Sequence, residues 1–228
     1  MTQDIPPIRI GSGEFRWGEK TYLMGIINAT PDSFSGDGLA YNIDAAVDEA
    51  VAMQEAGADI IDVGGESTRP SGAVYGEGAK PVSTEEELNR VLPVIHRMRK
   101  ILKIPISIDT YKSETARAAI AAGASLINDV WGLLRDQKLA KVAAETGVPL
   151  VLTHNQKGYE YDNLMAELVA GIRHSMETAL RAGVPHEHII VDPGIGFGKK
   201  AEHNLEILRR LHEFRATLGR PVLVGTSR

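Results

Sequence analysis

The chain has 228 residues, 43% of them hydrophobic and 24% charged, so it can bury a sizeable core and is too apolar for wholesale disorder. Thirty acidic against 25 basic residues give a net charge of −5 with no polybasic tract, which argues against a nucleic-acid partner. Cysteine is absent, which excludes disulfides, thiolate metal sites and a cysteine nucleophile, and is compatible with a reducing, cytoplasmic setting.

Met1-Thr2-Gln3-Asp4 lacks the basic-then-apolar pattern of a signal peptide, and no apolar run approaches the length of a membrane span, so no membrane partner is expected. Residues 8–20, with Gly11, Gly13 and Gly18, predict a small hairpin. From residue 22 a rhythm sets in: a short apolar run ends in polar or glycine residues, and a longer segment of helical period follows. The apolar runs lie at 22–27, 60–63, 105–108, 125–127, 149–152, 189–191 and 221–224. Helical segments are expected at 43–57, 84–102, 112–122, 136–146, 161–182 and 204–218. Gly57, Gly123, Gly147 and Gly183 each follow such a segment, as a helix C-cap requires, and Ser83 with Glu86 fits a capping box.

Alternating strands and helices imply a parallel sheet with crossover helices, and strands apolar on both faces imply a sheet that is covered or closed. Seven strands and six helices are countable before the chain stops at Ser227-Arg228. Two architectures fit: an open α/β sheet, or a (β/α)8 TIM barrel lacking its last strand and two helices. Either way residues 1–228 are expected to form a single domain.

Polar residues collect at the C-terminal ends of the strands, the ligand-binding edge of parallel α/β folds. Strand one runs into Asn28-Ala29-Thr30-Pro31-Asp32-Ser33-Phe34, and strand two contains Asp62 and runs into Gly64-Gly65-Glu66-Ser67-Thr68-Arg69-Pro70. The next strands end at Asp109-Thr110, Asn128-Asp129, Thr153-His154-Asn155 and Asp192-Pro193-Gly194-Ile195-Gly196-Phe197-Gly198-Lys199. Structural roles compete with functional ones. Asp109, Asn128 and Asp129 could cap the helices that follow, Asp192 could serve a turn, and His154, without a paired ligand, reads as a hydrogen-bonded structural histidine. Arg69 among glycines and hydroxyls suits anion capture. The glycine run at 194–198 is not a P-loop, because Pro193 and Lys200 stand where that motif needs Gly and Ser or Thr. No dinucleotide fingerprint, His-Glu-x-x-His or nucleophile elbow is present.

Three blocks resemble the dihydropteroate synthase family: Met24 to Ser35, Asp62 to Pro70 and Asp192 to Lys199. Weaker likenesses lie at Ser107 to Lys112, Ile127 to Val130 and Gly225 to Arg228, all in family order. The resemblance implies a (β/α)8 barrel that joins 7,8-dihydropterin-6-ylmethyl diphosphate to 4-aminobenzoate, releases diphosphate and is a sulfonamide target. It implies pterin-binding roles for Asp109, Asn128, Asp192, Gly196 and Phe197. Asn28 would lie near the diphosphate and its Mg²⁺. Asp32, Phe34 and Arg69 would be catalytic, and Ser67, Thr68, Pro70 and Ser227 would hold the aminobenzoate and diphosphate side. A homodimer is implied for the full-length form.

The chain departs from the family pattern in three places. The usual Leu-Met-His-Met is Leu152-Thr153-His154-Asn155, the stretch 73–80 is longer, and neither the lysine after Ser-Arg nor the Arg-x-His of an eighth strand falls within the 228 residues. Those missing groups imply little synthase turnover from residues 1–228 alone. The alternatives are a pterin-binding paralogue without synthase activity and a pterin-binding methyltransferase domain. The intact Gly64-to-Pro70 loop argues against the latter.

Overall fold

The computed structural model describes residues 5–29, 43–67 and 81–226. Eight strands and seven α-helices are formed there. β1 (Ile8–Ile10) and β2 (Gly13–Phe15) make an antiparallel hairpin. The chain then alternates: β3 (Met24–Asn28), α1 (Ile43–Glu55), β4 (Ile60–Gly64), α2 (Thr84–Met98), β5 (Ile106–Asp109), α3 (Ser113–Ala122), β6 (Leu126–Asp129), α4 (Lys138–Thr146), β7 (Leu150–Thr153), α5 (Leu164–Arg181), β8 (Ile189–Asp192), α6 (Ala201–Arg209) and α7 (Leu211–Leu218). The six strands β3 to β8 form one parallel sheet in sequence order.

Residues 221–224 run beside β8, joined by Val191 N to Pro221 O (3.0 Å) and Leu223 N to Val191 O (2.9 Å), and contribute a single parallel bridge instead of a full strand. Among the described residues nothing pairs with the outer edge of β3, so the sheet curls without closing, as expected for the incomplete barrel.

The helix expected over 204–218 is two helices. Arg210 breaks the run with φ −107° and ψ 17°, and its guanidinium bonds Glu206 and Glu213 on either side. Only half of the expected capping box forms. The Ser83 hydroxyl accepts from Glu86 N at 3.1 Å, while the Glu86 carboxylate pairs with Arg90.

Two cores flank the sheet. The larger lies between strands and helices and includes Ile27, Val63, Ile108, Ile127, Leu152 and Val191. The smaller lies on the other face, where Ile60, Leu126, Val151 and Ile190 pack with Ile8, Ile10 and Phe15 of the hairpin. Side chains alternate with period two, so two residues further along the same face come Asp62, Asn128, Thr153 and Asp192. The hairpin thus seals the N-terminal end of the sheet's concave face, and a polar layer lies directly above the seal.

Candidate active site

That polar layer is the candidate site. Register places its members side by side: Asp62 opposite Ser107, Asp109 opposite both Gly64 and Asn128, and Thr153 opposite Asp192. Asn128 donates from Nδ2 to Asp62 Oδ2 at 2.9 Å. An ionised carboxylate can only accept, so Asp62 fixes the amide's orientation and leaves Asn128 Oδ1 as a second acceptor. Asp62 Oδ1, Asp109 Oδ1, Asn128 Oδ1 and Thr153 Oγ1 are buried without a hydrogen-bond partner. Such clustering of unmet acceptors is unusual in a protein interior and costly.

The electrostatics agree. Burial pushes the Asp109 carboxyl well above its ordinary range, and Asp62, Glu87, Asp129 and Glu66 push it further. Burial also raises Asp62, opposed by Ser107 and Asn128. Asp192 rises to about 7 through burial, opposed by a bond from Gly194 N to its Oδ1 (2.7 Å) and by Lys199. A site this rich in reluctant carboxylates has the acceptors to receive a ligand bearing several N–H donors.

The strand-end residues fall into those with unmet acceptors and those bonded into the scaffold. Asp109 does not cap α3. Asp136 does that work, accepting from Ser113 N at 2.9 Å. Asp129, lifted by burial to about 6, accepts from Trp131 N and Leu133 N (2.9 and 2.6 Å) and organises the loop after β6. Asp192 serves its turn as well as the polar layer. Gly196 closes the next turn at φ +86°, its N–H donating to Asn204 Oδ1 at 3.0 Å, and Phe197 follows half-buried. His154 is structural: burial and the adjacent Lys199 depress it to about 3, and its Nδ1 lies 3.1 Å from Lys199 Nζ.

Asn28 sits exposed at the end of β3, on the same face as Met24. Among the described residues no group of three or more His, Asp or Glu side chains is placed to hold a metal ion. Ser67 lies just past β4 at the edge of the described region. Asp32, Phe34, Thr68, Arg69, Pro70 and Ser227 lie outside the described residues.

Two contributors were named in the sequence but given no role there. Asp62 is one, although an aspartate inside the apolar run Ile60-Ile61-Asp62-Val63 is itself a signal. Lys199 is the other. Only 5% exposed, it donates to Phe197 O (2.9 Å) and His154 O (3.3 Å), tying the 194–199 loop to the end of β7. Burial lowers its ammonium to about 7, with Asp192 opposing. Asn155, one of the departures from the family pattern, is absorbed structurally, donating from Nδ2 to Val130 O at 2.9 Å.

Residues 24–228 match the model of a family described as pterin-binding enzymes. The chain is 51% identical over 221 residues to a dihydropteroate synthase of Clostridium beijerinckii, covering 97% of this chain and 79% of that one. Among solved structures, a Clostridium difficile dihydropteroate synthase determined with pteroic acid superposes with a TM-score of 0.87 at 46% identity, covering 93% of this chain and 78% of that one. A Xanthomonas albilineans dihydropteroate synthase in complex with 7,8-dihydropteroate gives 0.85 at 37% identity, covering 97% and 78%.

Proposed function

The chain belongs to the family of pterin-binding enzymes and stands among its dihydropteroate synthases, and from that premise we propose how its own residues serve the transfer. The observation that carries the proposal is the buried layer of unmet acceptors on Asp62, Asp109 and Asn128. A pterin edge presents ring and amino N–H groups, and Asp109, Asn128 and the Asp192 oxygen not engaged by Gly194 receive them. Gly196 and Phe197, in the loop after β8, are proposed to border the pterin. A ligand without those donors leaves the acceptors unmet, which makes the pocket selective.

The reaction that membership among dihydropteroate synthases implies is substitution at the pterin's exocyclic methylene. The carbon–oxygen bond breaks and diphosphate leaves with the electron pair. The aniline nitrogen of 4-aminobenzoate forms the new carbon–nitrogen bond and loses a proton. Positioning and charge stabilisation suffice, and no covalent enzyme intermediate is needed. Ser67, Thr68, Arg69, Pro70 and Ser227 are proposed for the aminobenzoate and diphosphate side, with Asp32 and Phe34 from the residues that follow β3 in the sequence.

Mg²⁺ fits as an ion carried on the diphosphate. Asn28 offers one oxygen at an exposed strand end, and a hard cation keeps waters and phosphate oxygens for its other positions. Bound there, it would offset the charge of the leaving group.

The test incubates the protein with both substrates and Mg²⁺ and follows dihydropteroate and diphosphate. The reading expects the two products in equal amounts from the full-length form and little of either from residues 1–228 alone. Pterin binding with neither product from the full-length form would favour a pterin-binding protein that does not catalyse the transfer.

A further inference from the structure

Lys112 lies three residues past Asp109, at the start of α3, and its ammonium has three acceptors in reach. It donates to Glu66 Oε2 at 2.6 Å and to Val82 O at 2.7 Å, and Glu87 Oε2 lies at 2.8 Å. These acceptors come from separate places. Glu66 is on the exit from β4, Val82 is on the approach to α2, and Glu87 is in the first turn of α2. One side chain therefore joins the exit from β4 to the approach to α2.

The surrounding contacts make the clasp stiff. Glu87 is 1% exposed and also accepts from Thr115 Oγ1 at 3.0 Å. Arg90 donates to Gly65 O at 2.7 Å, and a Cβ on Gly65 would come within 2.7 Å of Val91 Cγ1, so the strand exit is pressed onto α2. Thr110 Oγ1 accepts from Lys112 N at 3.1 Å, which anchors the lysine's own backbone beside Asp109. Burial alone would lower the Lys112 ammonium, but Glu66 and Glu87 hold it above its ordinary value.

We propose that Lys112 is a positioning residue for the aminobenzoate half of the reaction, fixing where Glu66 and Ser67 leave the sheet relative to the pterin layer. The inference rests on the reading of Ser67 and its successors as the aminobenzoate side. None of the three acceptors of the Lys112 ammonium belongs to the layer of unmet acceptors, and Glu66 and Glu87 reach Asp109 only through their charge. Its loss therefore falls chiefly on the half of the substrate pair that Glu66 and Ser67 lead into.

The experiment compares two probes by calorimetry: 6-hydroxymethylpterin, which fills only the pterin half, and pteroic acid, which spans both. Lys112→Met is expected to bind 6-hydroxymethylpterin within about twofold of wild type and pteroic acid at least about fivefold more weakly, because preorganisation of the second half is lost. Lys112→Arg, which keeps a charge able to reach both acids, is expected to recover most of the loss. If Lys112→Met does not fold, Glu66→Gln serves, with a smaller loss confined to pteroic acid. Equal weakening of both probes, or of neither, overturns the proposal. A wild-type protein that binds pteroic acid no more tightly than 6-hydroxymethylpterin overturns the underlying reading, and the proposal falls with it.

Discussion

The polar layer above the hairpin and the mouth of the sheet use the same residue types in opposite ways. At the mouth, Lys112 and Arg90 meet Glu66, Glu87 and Glu86, and each buried charge has a partner. In the layer, Asp62, Asp109 and Asn128 carry buried oxygens with no donor, and Asp109 is pressed by four other acids. Charges that hold a fold together are neutralised within it. Charges kept for a ligand stay unmet until it arrives and cost stability meanwhile. The two regions lie only a few residues apart along β5 and α3, so the contrast can be tested within one small part of the molecule.

The largest effects should come from the layer. Asp109→Ala or Asp192→Ala is expected to weaken pterin binding by about 2 kcal/mol or more, as for hydrogen bonds to a charged group. Titration calorimetry with a pterin checks it, and unchanged affinity in both folded variants would return these residues to turn and scaffold roles. At the mouth, Glu87→Ala should instead destabilise the fold by about 2 kcal/mol, below the usual loss for a broken buried pair because Lys112 keeps Glu66. Denaturant unfolding reads that loss, and pterin binding should persist, because Glu87 acts on Asp109 only through its charge and its removal eases the Asp109 carboxylate. If Glu87→Ala spared stability and abolished pterin binding, the division between the regions would be gone.

A smaller change is expected from Asp62→Ala. It frees the Asn128 amide to turn and should cost about 1 kcal/mol in pterin affinity, while Asp62→Asn, which can still accept from Asn128, should cost less. Equal losses in the two variants would mean that the charge matters and the orientation does not.

The mildest test is pH. The Asp192 carboxylate is the form that accepts from a ligand, and its value lies near 7, so pterin affinity should rise as pH climbs through that range, with protons released on binding. Stability runs the other way. Asp192 holds its proton more tightly folded than unfolded, so the unliganded protein should lose stability as pH rises from about 4 through 7. Affinity that falls with rising pH would contradict the assignment.

Much of this was legible from the residues. Alternating apolar runs and helical periods locate the six paired strands, and polar strand ends locate the site, because period-two alternation and the parallel-sheet edge are local rules. The break at Arg210 was not, since Glu206-to-Glu213 reads as one continuous helical pattern and the guanidinium bonds that define the junction appear only in three dimensions. Nor could spacing separate Asn128 from Asp129. The neighbouring pair looks equivalent in sequence, yet one side chain faces the layer and the other turns to backbone N–H groups of its own loop. Lys112 was visible as part of a motif, but its three partners lie 25 to 46 residues upstream.

The central claim, that the layer's carboxylates are kept unmet for a ligand, is tested most directly by thermal unfolding of the unliganded Asp109→Asn variant. The substitution removes a buried charge without opening a cavity. The account predicts a midpoint above wild type at an alkaline pH, with the gain shrinking at an acidic pH, because burial and the neighbouring acids oppose the charged form of Asp109. A midpoint several degrees below wild type at both pH values would show that Asp109 holds the fold together, and would contradict it.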